Sequence, residues 1–198
     1  MEKKIMPVPI GREEKEARLN QRAKAIWLYG LSGSGKTTLA TALEVRMAAD
    51  GFKTVLLDGD AIRSGLNRGL GFSEADRTEN IRRAAEVAKL FVGAGIIPIC
   101  AFITPLESHR ELVREIIGPA DLLDVYLAAS YAACAQRDPK GLYCQAEKRQ
   151  VTQFTGLDSA FDPPNSPAPS LILDTANATL ENCLEKLYNS ALARARKA

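Results

Sequence analysis

One eight-residue segment constrains the fold of this chain more than any other feature: residues 30–37, which read Gly-Leu-Ser-Gly-Ser-Gly-Lys-Thr. The segment follows an apolar run at 25–29 and precedes a helical pattern from Thr38 onward. A strand, a glycine loop and a helix in this order are typical of a loop that binds phosphate. Glycines allow several backbone N–H groups to face one anion, and the helix adds its positive N-terminal end. A chance turn is disfavoured, because all four fixed positions of the pattern are present.

The side chains of this segment, the phosphate loop, predict which ligand it holds. Lys36 can reach the β- and γ-phosphates of a nucleotide, and the hydroxyl of Thr37 can hold Mg²⁺. We therefore predict that the chain binds a nucleoside triphosphate together with Mg²⁺. The residues predicted to contact the triphosphate are Gly30, Ser32, Gly33, Ser34, Gly35, Lys36, Thr37 and Thr38.

Strand-like and helical patterns alternate along the rest of the chain. Apolar runs predict further strands at 53–57, 96–103, 122–127 and 170–174. Helical patterns lie at about 36–49, 61–66, 73–93, 106–117, 130–137 and 179–195. The alternation predicts an α/β fold, a three-layer α/β/α sandwich with a mainly parallel five-stranded sheet. Ligands of such sheets bind at the carboxyl ends of the strands.

Three segments depart from this simple pattern. Pro98 is awkward within a central strand, so we expect the paired part of its strand to begin after it. Residues 138–169 are rich in Gly, Pro and polar residues, and their length predicts a functional lid. Residues 1–23 are polar and contain a charged, solvated helix. They predict an N-terminal arm before a single domain at 24–198.

Composition excludes several classes of function. The 198 residues are 46% hydrophobic and 25% charged, as in an ordinary globular domain, and a net charge of +2 does not favour nucleic-acid binding. No apolar run is long enough to span a bilayer, and no apolar signal core follows the first residues, so we expect neither a membrane nor secretion. Four scattered cysteines, of which Cys144 has polar neighbours and is expected to be exposed, fit a reducing cytoplasm.

A second polar site is predicted where the second strand ends. Asp58 and Asp60 flank a glycine there, and one carboxylate can accept a proton from an attacking hydroxyl or hold Mg²⁺ through water. Downstream arginines suggest a strongly anionic second substrate, because guanidinium groups donate paired hydrogen bonds to phosphate or sulfate oxygens. For the last two of the five, a solvated helix face is the better interpretation. The five are Arg63, Arg68, Arg77, Arg82 and Arg83.

Two phenylalanines lie in polar, glycine-containing stretches rather than on apolar stripes. Phe72 and Phe154 are therefore candidates for exposed rings that stack on a planar base. From these residues alone, the anchoring of two loops to the core is an equally good interpretation.

Five motifs in chain order resemble those of the adenylylsulfate kinase family, over about residues 26–169. They are Gly-Leu-Ser-Gly-Ser-Gly-Lys-Thr-Thr-Leu-Ala (30–40), Leu-Asp-Gly-Asp-Ala-Ile-Arg (57–63), Leu-Gly-Phe-Ser-Glu-Ala-Asp-Arg-Thr-Glu-Asn-Ile-Arg-Arg (70–83), Arg-Asp-Pro-Lys-Gly-Leu-Tyr (137–143) and Phe-Thr-Gly-Leu-Asp (154–158). The resemblance implies a P-loop kinase that transfers the γ-phosphoryl group of ATP to the 3′-hydroxyl of adenosine 5′-phosphosulfate. It also implies a homodimer and a functional link to a separate ATP sulfurylase.

The resemblance further implies roles for individual residues. Asp60 is implied in Mg²⁺ binding and in activation of the hydroxyl, Lys140 in charge neutralisation beside Lys36, and Arg137 in contact with the base of ATP. Thr104 stands where the family usually has a serine that is regarded in some members as a phosphorylated intermediate, and since it keeps a hydroxyl it is a candidate catalytic residue. Direct in-line transfer needs no such intermediate. The residues implied in binding the phosphosulfate substrate are Asp60, Arg63, Phe72, Arg77, Asn80, Ile103, Lys140, Gly141, Leu142 and Phe154.

Two alternatives stay open. A kinase of another small anionic metabolite is disfavoured by Phe72 and Phe154, which a sugar-like acceptor would not need. A nucleotide-dependent switch or a non-catalytic module is disfavoured because no Asn-Lys-x-Asp motif is present and both Lys36 and Asp60 remain.

Overall fold

The structure, a computed structural model, describes residues 9–151, 153–164 and 169–196. Residues 1–8 of the predicted arm, 152 and 165–168 of the predicted lid, and 197–198 of the predicted domain lie outside the described residues. Among the described helices, none has both the length and the apolar character that crossing a membrane requires.

Five strands form one sheet in the order β2-β3-β1-β4-β5, and all neighbouring pairs are parallel. The strands are β1 (Ala25–Tyr29), β2 (Thr54–Asp58), β3 (Ile97–Ala101), β4 (Leu122–Ala128) and β5 (Leu171–Asp174). The α-helices are α1 (Arg12–Leu19), α2 (Lys36–Ala49), α3 (Gly59–Ser64), α4 (Glu74–Gly93), α5 (Glu107–Ile117), α6 (Tyr131–Arg137), α7 (Leu142–Glu147) and α8 (Leu180–Ala195). The predicted α/β fold class is confirmed.

Helices cover both faces of the sheet, and this explains why the central strands are continuously apolar. In β1, Ile26 and Leu28 face a core cluster shared with α2 and α8. Trp27 and Tyr29 face a second cluster shared with α4 and α5. The three layers therefore follow from the alternation of side chains along buried strands.

The expectation that pairing begins after Pro98 is wrong on one side of the strand. β3 lies between β2 and β1, and the N–H of Ile97 already donates to Lys53 O at 3.0 Å. Pro98 itself is opposite Val55 of β2, whereas pairing with β1 begins only at Ile99. Because backbone groups alternate sides along a strand, the missing N–H of Pro98 faces β1, where pairing has not yet begun.

The helix of the predicted arm is packed against the loops that enter the strands. Arg12 Nη2 donates to Asp121 Oδ1 at 2.9 Å. The carboxamide of Gln21 is fully buried; it donates to Gly95 O at 2.7 Å and accepts from the N–H of Lys53 at 2.8 Å. These contacts lie at the edge of the sheet opposite the phosphate loop. The domain boundary near residue 23 stays a prediction.

The predicted lid contains a helix, α7, which its glycine- and proline-rich composition did not indicate. The carboxylate of Asp138 holds the first turn of this helix, since it accepts from the N–H groups of Tyr143 and Cys144 at 3.1 Å each. The side chain of Cys144 is exposed, as expected. A short helix therefore gives the lid segment a rigid part close to the phosphate loop.

Candidate active site

The predicted site residues converge on one cavity at the carboxyl ends of the strands. The cavity has a volume of about 940 Å³. Two predicted residues, Gly30 and Gly141, lie outside its lining. The predicted residues that line it are Ser32, Gly33, Ser34, Gly35, Lys36, Thr37, Thr38, Asp60, Arg63, Phe72, Arg77, Asn80, Ile103, Thr104, Arg137, Lys140, Leu142 and Phe154.

The phosphate loop needs a glycine where it leaves β1. Gly30 has a φ of +149°, and a Cβ there would lie 2.7 Å from Leu127 O of the neighbouring strand. At the other end of the loop, Gly35 (φ +97°) immediately precedes α2, which begins at Lys36. The free N–H groups of the first helical turn therefore belong to the wall of the cavity, as an anion site requires.

Lys36 is buried under the loop. Its Nζ donates to Gly30 O at 3.0 Å and to Leu31 O at 2.7 Å. Burial lowers the pKa of this amine from 10.5 to about 8, because the charged form loses hydration. The ammonium form still predominates at neutral pH, so the lysine can transfer its hydrogen bonds from carbonyls to phosphate oxygens.

Asp58, which the sequence marks beside Asp60 as a possible proton acceptor or Mg²⁺ ligand, contacts the phosphate loop directly. Its Oδ2 accepts from the hydroxyl of Thr37 at 2.7 Å, and its Oδ1 accepts from the N–H of Asp60 at 3.0 Å. A hydroxyl and a carboxylate side by side at a phosphate site are oxygen ligands of the kind that Mg²⁺ prefers. The residues present therefore fit Mg²⁺. The pairing of β2 with β3 brings Asp58 to the end of the sheet where the phosphate loop lies. The contact between Asp58 and Thr37 is not evident from the sequence, because the two residues are far apart in it.

Asp60 lies next to Asp58 in chain order but faces the lid. Its Oδ2 accepts from Lys140 Nζ, and both side chains are largely exposed. The lid segment thus reaches across the cavity to the carboxylate that was predicted to activate the acceptor hydroxyl.

Two of the five predicted arginines line the cavity, Arg63 and Arg77. Arg63 Nη1 donates to Gly71 O at 2.9 Å, and Arg77 Nη1 donates to Thr155 Oγ1 of the lid segment at 2.8 Å. Burial lowers the pKa of both guanidinium groups. Their partly desolvated charges make this wall cationic. By contrast, Arg82 and Arg83 pair with Glu79 on the helix surface, as the solvated interpretation predicted.

The two phenylalanines differ in exposure. Phe72 is 57% exposed, and the guanidinium of Arg63 lies 4.6 Å from its ring centroid. Phe154 is only 7% exposed and packs edge-on against Tyr143, with centroids 4.8 Å apart. The expectation of an exposed ring is therefore wrong for Phe154, because the aromatic cluster of the lid buries most of it. Both rings nevertheless line the cavity, so anchoring and contact with a base are compatible for Phe154.

Asn80 on α4 is oriented by a neighbour that sequence reasoning missed. Asn67 is fully buried, and its Nδ2 donates to Asn80 Oδ1 at 2.9 Å. With its oxygen engaged in this way, the carboxamide of Asn80 has its NH₂ group left to offer as a donor.

Thr104 does not present its hydroxyl freely. The residue is 1% exposed, and its Oγ1 accepts from the indole N–H of Trp27 at 2.9 Å. Its carbonyl accepts from Arg110 Nη1 at 3.2 Å. The bond from Trp27 gives the hydroxyl a structural function at the cavity wall, and its catalytic role stays a prediction.

The cavity extends beyond the phosphate loop to the predicted Arg137 and to residues that the sequence did not single out. Arg137 Nη1 donates to Gly33 O at 3.4 Å, and Arg137 Nη2 donates to Thr175 O. Residues just before α8 and in its first turn form a mostly apolar end of the same cavity. They are Ala178, Thr179, Leu180 and Cys183.

The class of protein follows from how the two sides of this cavity meet. Many nucleotide-binding proteins share a parallel sheet whose first strand enters a phosphate loop. In this chain, a lysine of the predicted lid also reaches a carboxylate beside that loop, and such a pair is suited to phosphoryl transfer. Together these features identify a P-loop kinase. More particularly, the chain belongs to the adenylylsulphate kinase family, because the family model described as "Adenylylsulphate kinase" matches residues 22–174.

Relatives and solved structures agree with this assignment. The "Adenylyl-sulfate kinase" of Bacteroides fragilis is 48% identical over 183 residues, which are 92% of this chain and 90% of that protein. A structure of the Mycobacterium tuberculosis APS kinase in complex with AMPPNP and APS has a TM-score of 0.82 and 38% identity, covering 86% of this chain and 98% of that one. A hexameric APS kinase from Thiobacillus denitrificans has a TM-score of 0.65 and 28% identity, covering 88% of this chain and 29% of that one.

Proposed function

We propose that this protein phosphorylates the 3′-hydroxyl of adenosine 5′-phosphosulfate with ATP as the donor, giving 3′-phosphoadenosine 5′-phosphosulfate and ADP. The observation that carries the proposal is that Asp60 and the phosphate loop border one cavity whose remaining wall is cationic and aromatic. A donor triphosphate and an anionic acceptor that carries a base fit such a cavity side by side. The name of the Bacteroides relative and the ligands of the Mycobacterium structure support the same acceptor.

The reaction is a direct in-line transfer. The 3′-oxygen of the acceptor forms a bond to the γ-phosphorus while the bond from that phosphorus to the β,γ-bridging oxygen breaks, and the hydroxyl proton passes to Asp60. Lys36 holds the β- and γ-phosphate oxygens in place of its loop carbonyls. Lys140 moves from Asp60 onto the transferred group, which frees the carboxylate when the acceptor arrives.

Thr37 and Asp58 would hold Mg²⁺ together with ATP, with Asp60 close by. When bound, Mg²⁺ supplies positive charge that stabilises the negative charge on the phosphates.

Different parts of the wall recognise the two nucleotides. Arg63, Arg77 and the amide of Asn80 bind the phosphosulfate, since each donates hydrogen bonds to anionic oxygens. The rings of Phe72 and Phe154 contact the adenine of the acceptor. The apolar end at 178–180, with Arg137, receives the adenine of ATP.

We further propose a cytoplasmic homodimer that receives its substrate from a separate ATP sulfurylase. The family resemblance supports the dimer, although the Thiobacillus neighbour is described as hexameric. Light scattering coupled to size-exclusion chromatography distinguishes the two: a mass near twice 21.5 kDa supports the dimer, and a mass near six times this value contradicts it.

A coupled ADP-release assay tests the reaction. The protein is supplied with Mg²⁺, ATP and one of four acceptors: adenosine 5′-phosphosulfate, AMP, shikimate or gluconate. We expect turnover with the phosphosulfate to exceed that with the others by at least about a hundredfold, because only this acceptor satisfies both the arginines and the rings. Equal turnover with AMP, or preference for gluconate, would contradict the proposed acceptor.

A further inference from the structure

We propose that Tyr143 is a positioning residue that holds the phosphate loop from the lid, with Thr175 as its counterpart from the end of β5. Its hydroxyl donates to Ser32 O at 2.7 Å, and the hydroxyl of Thr175 donates to Ser34 O at 2.8 Å. The inference rests on the nucleotide-binding half of the proposed function and does not depend on which acceptor is used.

These two bonds belong to a series of hydrogen bonds from side chains to successive carbonyls of the phosphate loop. Each of five successive carbonyls in the loop accepts a hydrogen bond from a side chain. The donors are Lys36 for Gly30 and Leu31, Tyr143 for Ser32, Arg137 for Gly33, and Thr175 for Ser34. When a triphosphate binds, Lys36 is drawn to its phosphates, so the fixed orientation of the loop then depends on the donors from outside it.

A hydrogen bond that fixes a loop carbonyl also fixes the direction of the N–H group of the next residue. The C=O of one residue and the N–H of the next point in opposite directions. A bond to Ser32 O therefore directs the N–H of Gly33 the other way, and a bond to Ser34 O does the same for Gly35. Neither N–H group has a hydrogen-bond partner among the described residues, so both stay available to an anion.

Glycine makes this external support necessary. Gly33 and Gly35 have φ angles of +74° and +97°, which glycine adopts freely but also leaves freely. Without fixed carbonyls, the peptide planes on either side could rotate, and a phosphate would have to order them when it binds. Donors that fix the planes beforehand reduce this cost and strengthen binding.

Tyr143 is suited to this role because it is itself held firmly. The residue is 2% exposed, and its ring packs edge-on against Tyr131 and Phe154, with centroids 5.0 and 4.8 Å away. Burial raises the pKa of its phenol, so the hydroxyl remains a donor across the working pH range. One side chain thus contacts the donor side through its hydroxyl and the acceptor side through its ring.

The test compares the removal of single hydroxyls. Binding of Mg²⁺–ADP is measured by calorimetry without acceptor, for the wild type, Tyr143→Phe and Tyr131→Phe. Tyr131 is the matched control, because it belongs to the same cluster and its hydroxyl has no partner among the described residues. We expect Tyr143→Phe to weaken ADP binding by about five- to tenfold, the effect of one buried hydrogen bond, and Tyr131→Phe to leave it unchanged.

Two further measurements separate positioning from general destabilisation. Tyr143→Phe should raise KM for ATP but not for the acceptor, since the ring that supports Phe154 is kept. Thr175→Val should weaken ADP binding similarly, and Thr175→Ser should restore it. Equal ADP affinity in Tyr143→Phe and wild type, an equal loss in Tyr131→Phe, or a loss in Thr175→Ser as large as in Thr175→Val would overturn the inference. Absence of ADP binding by the wild type would instead contradict the proposed function.

Discussion

In the proposed function, the two halves of the cavity recognise anions in different ways. On the donor side, contacts come from backbone N–H groups and from one buried amine, Lys36, which is 9% exposed. On the acceptor side, contacts come from cationic and polar side chains; Lys140, which is 52% exposed, pairs with Asp60, which is 73% exposed. The loop carbonyls of the donor half accept hydrogen bonds from side chains, whereas the acceptor half includes an exposed lysine from the predicted lid.

Substitutions in the two halves should therefore have different effects. Backbone recognition tolerates few changes in sequence, because glycine is needed for the conformation itself. Side-chain recognition is divided among residues from α3, α4 and the lid, so single substitutions should affect one substrate and not the other. The four predictions below test this separation.

The largest effect is expected for Asp60→Ala. Loss of the carboxylate removes the proton acceptor, and we expect kcat to fall by about a thousandfold or more. Binding of Mg²⁺–ADP, measured by calorimetry, should change little, because Lys36 and the loop are untouched. Near-normal turnover would remove Asp60 from the catalytic role, and lost ADP binding would show that the two halves are not separate.

A smaller effect is expected for Arg77→Ala. This arginine lines the cavity and also donates to Thr155 of the lid, so its loss should raise KM for the acceptor by about a hundredfold. Arg82→Ala is the matched control, since Arg82 is on the same helix but pairs with Glu79. Steady-state kinetics with each substrate varied in turn checks both. A rise of similar size in KM for ATP would contradict the separation of the cavity into a donor half and an acceptor half.

Asn67→Asp should reverse the orientation of the Asn80 carboxamide. A carboxylate at 67 can only accept, so the NH₂ group of Asn80 would turn towards it and present its oxygen to the anionic acceptor. We expect KM for the acceptor to rise by roughly thirtyfold, with KM for ATP unchanged. Asn67→Ala removes the donor without reversing the carboxamide of Asn80, so it should raise KM for the acceptor less than Asn67→Asp does. Equal effects of the two substitutions would indicate lost packing rather than orientation.

The smallest effect concerns pH. Burial lowers the pKa of Lys36 to about 8, and only the protonated amine attracts phosphate. Affinity for ADP should therefore be fully present well below pH 8 and fall about tenfold between pH 7 and pH 9, following the protonated fraction. Adenosine lacks phosphates, so its binding should not change over this range. A flat profile for ADP would contradict the lowered pKa.

Local patterns allowed much of the fold to be predicted. Apolar runs and helical periodicity located all five strands within two residues, because strands covered on both faces must be apolar throughout. The phosphate loop was also recognisable, since its function requires glycines and a lysine that are close in sequence. The pairing around Pro98 was predicted incorrectly, because the side that a missing N–H faces depends on which strand is adjacent.

Contacts between residues that are far apart in the sequence could not be predicted. Asp58 contacts Thr37 across 21 positions, Tyr143 contacts Ser32 across 111, and Thr175 contacts Ser34 across 141. None of these pairs forms a short motif. The burial of Phe154 likewise depends on the aromatic cluster of the lid, which no periodicity of the chain indicates.

Neighbouring positions of the chain encode the parallel sheet, the phosphate loop and the downstream set of cationic and carboxylate residues, so these could be recognised without a structure. Folding is needed to establish which side chains bind the loop carbonyls, which neighbour orients Asn80, and that Lys140 reaches Asp60. These are long-range hydrogen bonds and ion pairs, and their geometry exists only once the strands have been ordered and the lid has been placed over their carboxyl ends.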